Sequence, residues 1–144
     1  MKQKHASRSK TKQRILVVED EPIVREFLAA LLKRAGYVVE EAEHALAAIC
    51  SIVRAVPDLI LADIRMPIVD GLGLMRELRS HRDSRHIPVV AVTGLDTPKA
   101  REAARQAGCI GYITKPVDAK TFPDQIAEFL RPPRPVKSAL LKSS

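Results

Sequence analysis

Short apolar runs alternate with segments of helical periodicity five times along this chain, and no other feature restricts its fold as tightly. The runs are 15–18 (ILVV), 37–42 (YVVEEA), 59–62 (LILA), 87–93 (IPVVAVT) and 109–114 (CIGYIT). Runs this short, rich in β-branched residues and bounded by turn formers, read as strands. After the first run, Pro22 suits the first turn of a helix. Val24, Phe27, Leu28, Leu31, Leu32 and Ala35 then recur at helical spacing, and Gly36 supplies a stop. A second helix is expected over 45–53. A third is expected over 71–80, with Leu74, Met75 and Leu78 facing inward. The fourth has Asp96 or Thr97 as cap, Pro98 just inside and Gly108 as its end. The fifth covers 121–130, starting late enough that Pro123 falls in its first turn. Five strands alternating with five helices predict an α/β, doubly wound, five-stranded parallel sheet covered on both faces.

With 144 residues the chain has the length of about one domain. Hydrophobic residues make up 46% and aromatic residues only 3%, so the core must be aliphatic. The net charge of +7 suggests nucleic acid until it is divided along the chain. Residues 1–14 hold six Lys/Arg and 131–144 hold four, with no acid in either stretch. The part between holds 14 basic and 17 acidic residues and is mildly acidic. We therefore expect a disordered basic tail over 1–13, one domain over 14–130, and a Pro-rich basic tail over 131–144. No apolar run approaches the roughly 18 residues of a membrane span, and no apolar segment follows the basic start as a signal peptide requires. Cys50 and Cys109 lie far apart among apolar neighbours. They read as buried free thiols, which suits a reducing cytoplasm.

In doubly wound sheets ligands sit outside the carboxyl ends of the strands. Glu19 and Asp20 follow the first strand, Asp63 the third, Thr93 ends the fourth, and Lys115 follows the fifth. Any one of these could simply open a loop. As a set they are chemically coherent. Neighbouring carboxylates repel, and a hard divalent cation such as Mg²⁺ binds them with backbone carbonyls and water. A carboxylate, an amine and a hydroxyl beside that cation suit an anionic phosphoryl group.

The stretches ILVVEDEP, PDLILADIRMPIVDG, IPVVAVTG and GYITKP stand in an order and spacing that resembles the receiver domain of two-component response regulators. The resemblance covers about residues 14–130. It implies the flavodoxin-like (βα)5 receiver fold with strand order 2-1-3-4-5. It further implies that Asp63 accepts a phosphoryl group from a phosphohistidine on a sensor histidine kinase or histidine phosphotransfer protein. Asp20 and Asp63 would ligate Mg²⁺, with Glu19 acting partly through water and the Arg65 backbone carbonyl as a further ligand. Lys115 would pair with the phosphoryl group, and Thr93 would hydrogen-bond one of its oxygens. Tyr112 stands where the family has an aromatic side chain that moves with the threonine. Pro116 stands where the family has a cis peptide bond.

Two positions depart from the common pattern. Gly94 stands where a small Ala is usual, which loosens the loop. Arg65 borders the path of attacking water, so the lifetime of the phosphoryl group is open to change. The expected helix over 97–107 has a thin inward face of Ala100, Ala103, Ala104 and Ala107 and an outward face with Lys99, Arg101 and Arg105. Such a helix is weakly held and suits a mobile output element.

Other signals are weaker. GLGLMR lacks the third glycine of a dinucleotide motif. His81 and His86 have no further ligands near them in sequence. No Ser or Cys has the partners of a hydrolase. An Asp-nucleophile phosphatase needs an acid where Arg65 stands. The expected role is thus a cytoplasmic phospho-accepting signalling domain rather than an enzyme, undergoing only Mg-dependent self-phosphorylation and slow self-dephosphorylation. It would switch binding of a downstream protein effector through helix 4, strand 5 and helix 5, as a monomer or a phosphorylation-dependent homodimer. A phosphorelay intermediate or phosphate sink, and the receiver fragment of a larger regulator, are the alternatives. No helix-turn-helix follows residue 130, so no DNA contact is expected from this chain.

Overall fold

The computed structural model describes residues 12–65 and 71–131. Residues 1–11 of the N-terminal tail, 132–144 of the C-terminal tail, the Met66–Pro67 pair and Asp70 lie outside those residues. The elements run β1 (Arg14–Val18), α1 (Pro22–Arg34), β2 (Val38–Ala42), α2 (Ala45–Arg54), β3 (Leu59–Ala62), α3 (Gly71–Ser80), β4 (Val89–Thr93), α4 (Pro98–Ala107), β5 (Gly111–Thr114) and α5 (Phe122–Leu130). All strand pairs are parallel, in the order β2-β1-β3-β4-β5.

Side-chain alternation divides the core into two layers, because successive residues of a strand face opposite ways. Ile15, Val17, Leu59, Leu61, Val90 and Val92 pack against α1 and α5. Leu16, Val18, Ile60, Ala62, Val89 and Ala91 pack under α2, α3 and α4. The central strands need apolar residues on both faces, and β3 and β4 are buried at every position. The edge strand β2 tolerates Glu40 and Glu41 because its outer side is open.

Several helix boundaries follow local chemistry. Thr97 caps α4, its side chain accepting from Ala100 N, and Pro98 opens the first turn. Gly108 ends it with φ 108°, a left-handed conformation that glycine adopts without a Cβ penalty. Pro123 lies in the first turn of α5, whose N-cap is Thr121. The face of α4 is thin, with Ala100 and Ala104 buried and Ala103 and Ala107 half-buried.

Three expected core residues are not in the core. Cys50 is exposed, while Cys109 is buried. The buried stripe of α2 is Ala45, Ala48, Ser51 and Ile52, and at 3.6 residues per turn position 50 points away from it. Phe27 and Ala35 are likewise exposed, because α1 buries Leu28, Ala29, Leu31 and Leu32. Arg79 closes the opposite end of the sheet from the carboxyl edge. Its guanidinium donates to the carbonyls of Arg85 (2.7 Å), Ile87 (3.2 Å) and Gly108 (3.1 Å), joining α3 to the entries of β4 and β5.

Candidate functional site

Strand register brings the polar strand ends together. Val18 pairs with Ala62, so Glu19 and Asp63 leave neighbouring strands at the same level. Backbone bonds continue past the strands: Asp63 N donates to Val18 O (3.1 Å), and Lys115 N donates to Thr93 O (2.8 Å). The side chains that emerge are therefore fixed by the sheet rather than by loops.

Lys115 joins the acids. Its Nζ donates to Glu19 Oε1 at 2.7 Å and to Asp63 Oδ2 at 3.1 Å. The second oxygen of each carboxylate is held by the backbone. Glu21 N donates to Glu19 Oε2 (3.2 Å), and Arg65 N donates to Asp63 Oδ1 (2.9 Å). Glu19 is 1% exposed and Asp63 8% exposed, whereas Asp20 opens toward solvent. A carboxylate oxygen from each of Glu19, Asp20 and Asp63 lies within 4.8 Å of the others. Among the described residues, no other such cluster of metal-ligating groups exists.

Burial pushes the Glu19 carboxyl above its ordinary value of 4.5, with the Asp63 charge adding to this, while Lys115 and the Glu21 N–H work the other way. Burial works against the Lys115 ammonium, but its hydrogen bonds to Glu19 and Asp63 and their charges outweigh it and hold its pKa above 10.5. One ammonium thus faces three carboxylates. Among the described residues Asp20 has no ionic or hydrogen-bonded partner of its own. An all-oxygen donor set with excess negative charge fits a hard divalent cation, so the residues present suit Mg²⁺.

Thr93 is fully buried, and its hydroxyl accepts from Leu95 N at 3.3 Å. Tyr112 is half-buried, and its hydroxyl donates to Leu95 O. Leu95 therefore touches both the threonine and the tyrosine, a link that its sequence position gave no reason to select. The Arg101 guanidinium lies over the Tyr112 ring, 4.6 Å from its centroid, and also reaches Asp96 (2.8 Å) and Thr114 (3.3 Å). Helical spacing places Arg101 on the outer face of α4, but only the fold brings that face against β5. Lys115–Pro116 is a cis peptide. Arg65 is exposed. His81 pairs with Glu77 at 2.8 Å and is remote in sequence from the acidic cluster.

The family model for the response regulator receiver domain matches residues 15–127. The polar-differentiation response regulator DivK of Brucella ovis is 34% identical over 116 residues, which cover 81% of this chain and 94% of DivK. The receiver domain of a sensor histidine kinase from Pseudomonas aeruginosa is 32% identical, with a TM-score of 0.75 over 83% of this chain and 98% of that one. That structure has a magnesium ion coordinated in its active site cleft. The chemotaxis protein CheY4 of Vibrio cholerae gives a TM-score of 0.78 at 24% identity, over 82% of this chain and 98% of its own, and bears on the fold alone. The family match spans nearly every element that builds the sheet and its carboxyl edge, and on that ground the chain belongs to the response regulator receiver domain family.

Proposed function

We propose that this chain is a phosphorylation-controlled switch in which Asp63 receives a phosphoryl group from a phosphohistidine of a sensor kinase or histidine phosphotransfer protein. The observation that carries this reading is the Lys115 ammonium held between Glu19 and Asp63, with Asp20 completing the acidic cluster. In the transfer, a carboxylate oxygen of Asp63 forms a bond to phosphorus while the phosphorus–nitrogen bond to the donor imidazole breaks. The imidazole leaves with the electron pair and takes up a proton. The acyl phosphate that results adds negative charge where acids already stand. Lys115 is placed to exchange its contact with Asp63 for one with a phosphoryl oxygen, offsetting part of that charge. Glu19, Asp20, Asp63 and the Arg65 carbonyl would hold Mg²⁺, which when bound supplies positive charge to the phosphoryl oxygens.

A groove of about 490 Å³ is lined by Val24, Phe27, Leu28, Lys115, Pro116 and Val117. An apolar surface beside the acceptor suits the helix that carries the donor histidine. The output runs the other way. When the Thr93 hydroxyl turns to a phosphoryl oxygen, Leu95 N loses its acceptor and Leu95 O shifts with it. Tyr112 and Arg101 then carry the change to α4, β5 and α5, where a protein effector docks. The thinly packed α4 suits this movement. Two free thiols suit a cytoplasmic setting.

A phosphorylated histidine phosphotransfer domain, labelled on its phosphoryl group, tests this. Label should pass to the native chain within minutes when Mg²⁺ is present and should stay on the donor when EDTA is added. Transfer to Asp63→Asn at the native rate would overturn the assignment of the acceptor.

A further inference from the structure

Arg25 makes a contact that none of the roles above uses. It stands one turn into α1, where its N–H donates to Glu21 O at 2.9 Å. Its side chain turns back over the β1 edge, and Nη1 donates to the Glu19 carbonyl oxygen at 2.8 Å. Nε pairs with Glu41 Oε1 of β2 at 3.4 Å, and the side chain is only 15% exposed. Lys33 approaches the other oxygen of Glu41 at 4.0 Å. The arginine is therefore anchored on one side by a neighbouring strand and grips, on the other, the peptide unit that joins Glu19 to Asp20.

That peptide unit carries much of the acidic cluster. Its carbonyl belongs to Glu19 and its N–H to Asp20, so its orientation fixes where both side chains leave the backbone. Glu19 has additional holds, from Lys115 and from Glu21 N. Asp20 has none among the described residues, and the peptide plane sets the direction in which its side chain leaves the backbone. We infer that Arg25, held by Glu41, is a positioning residue that fixes the Glu19–Asp20 peptide so that Asp20 is aimed at the cation site. This inference rests on the receiver-site reading above.

The sign of the effect separates positioning from charge. Arg25 is a cation near a cation site, so by charge alone its removal would strengthen Mg²⁺ binding. Positioning predicts the opposite. Removing a group that orients a metal ligand lowers metal affinity, and we expect about a tenfold rise in the Mg²⁺ dissociation constant for Arg25→Ala. Arg25→Lys keeps the charge and one donor and should restore most of the affinity. Because Glu41 acts through Arg25, Arg25→Ala combined with Glu41→Gln should bind Mg²⁺ as weakly as Arg25→Ala alone. A pure charge effect would return that double variant to the native affinity.

Isothermal titration with MgCl₂ at fixed ionic strength reads these constants directly, and circular dichroism confirms that each variant is folded. If Arg25→Ala does not fold, Arg25→Lys, which keeps the charge, stands in for it and is expected to weaken binding by a smaller factor. Native or tighter Mg²⁺ binding by Arg25→Ala, or by Arg25→Lys where it does not fold, would overturn the inference while leaving the site itself intact. A native chain that binds no Mg²⁺, or one unaffected by Asp63→Asn, would overturn the receiver-site reading and this inference with it.

Discussion

Lys115 lets two carboxylates stand side by side at the end of a sheet where they would otherwise repel. Its hydrogen bonds to Glu19 and Asp63 also explain why its own pKa rises despite burial. The type and sequence position of these residues were legible, because each follows a strand-like run. The identity of their partners was not. Nothing in the sequence distance from Glu19 to Lys115 indicates a contact of 2.7 Å; parallel register creates it. The two cysteines show the same limit from the other side. Both have apolar neighbours, yet helical phase turns Cys50 outward and strand entry turns Cys109 inward. Burial raises the Cys109 thiol from 9.0 to about 11. A thiol raised in the folded state contributes its full stability below pH 9 and loses it as pH climbs to about 11. Urea unfolding across that window should therefore show a loss of up to roughly 3 kcal/mol that is reduced in Cys109→Ala. An identical loss in that variant would refute the assignment. Below pH 9, an alkylating reagent should modify Cys50 and leave Cys109 untouched until the chain unfolds.

At the scale of elements, the most legible ones carried punctuation as well as period. Thr97, Pro98 and Gly108 bracket α4, and Pro123 correctly delays α5. The least legible features were contacts between elements that meet only through the sheet. Arg79 is the clearest example. In sequence it is one more cation in a charged helix, but in the fold it holds three carbonyls from two separate loops. Arg79→Ala should cost about 2 kcal/mol in urea unfolding, because hydrogen bonds from a charged donor are lost together. Arg79→Lys should recover only part of this, since an ammonium cannot span three acceptors as a guanidinium fork does. A loss below 0.5 kcal/mol would place the arginine among ordinary surface cations, for which effects of about that size are usual. Gly111 is fixed by packing of another kind: a Cβ there would meet the Phe129 ring, so β5 and α5 approach through the missing side chain.

For the molecule as a whole, two-sided burial of the central strands builds a rigid sheet whose carboxyl edge concentrates charge. The fold thereby stores repulsion at the place where a cation and a phosphoryl group would be received. A ligand that binds only the folded state stabilises it by mass action. The melting temperature should rise with MgCl₂ and remain flat with KCl at matched ionic strength, and Asp20→Asn should remove most of the rise. Equal shifts with both salts would mean general screening rather than a site. Intact mass after incubation with acetyl phosphate and Mg²⁺ reads whether Asp63 is the acceptor. The native chain should gain one phosphoryl group and lose it on chelation and standing, and Asp63→Asn should gain none. A gain of equal size in Asp63→Asn, or none in the native chain with any phosphodonor, would mean that Asp63 is not the acceptor.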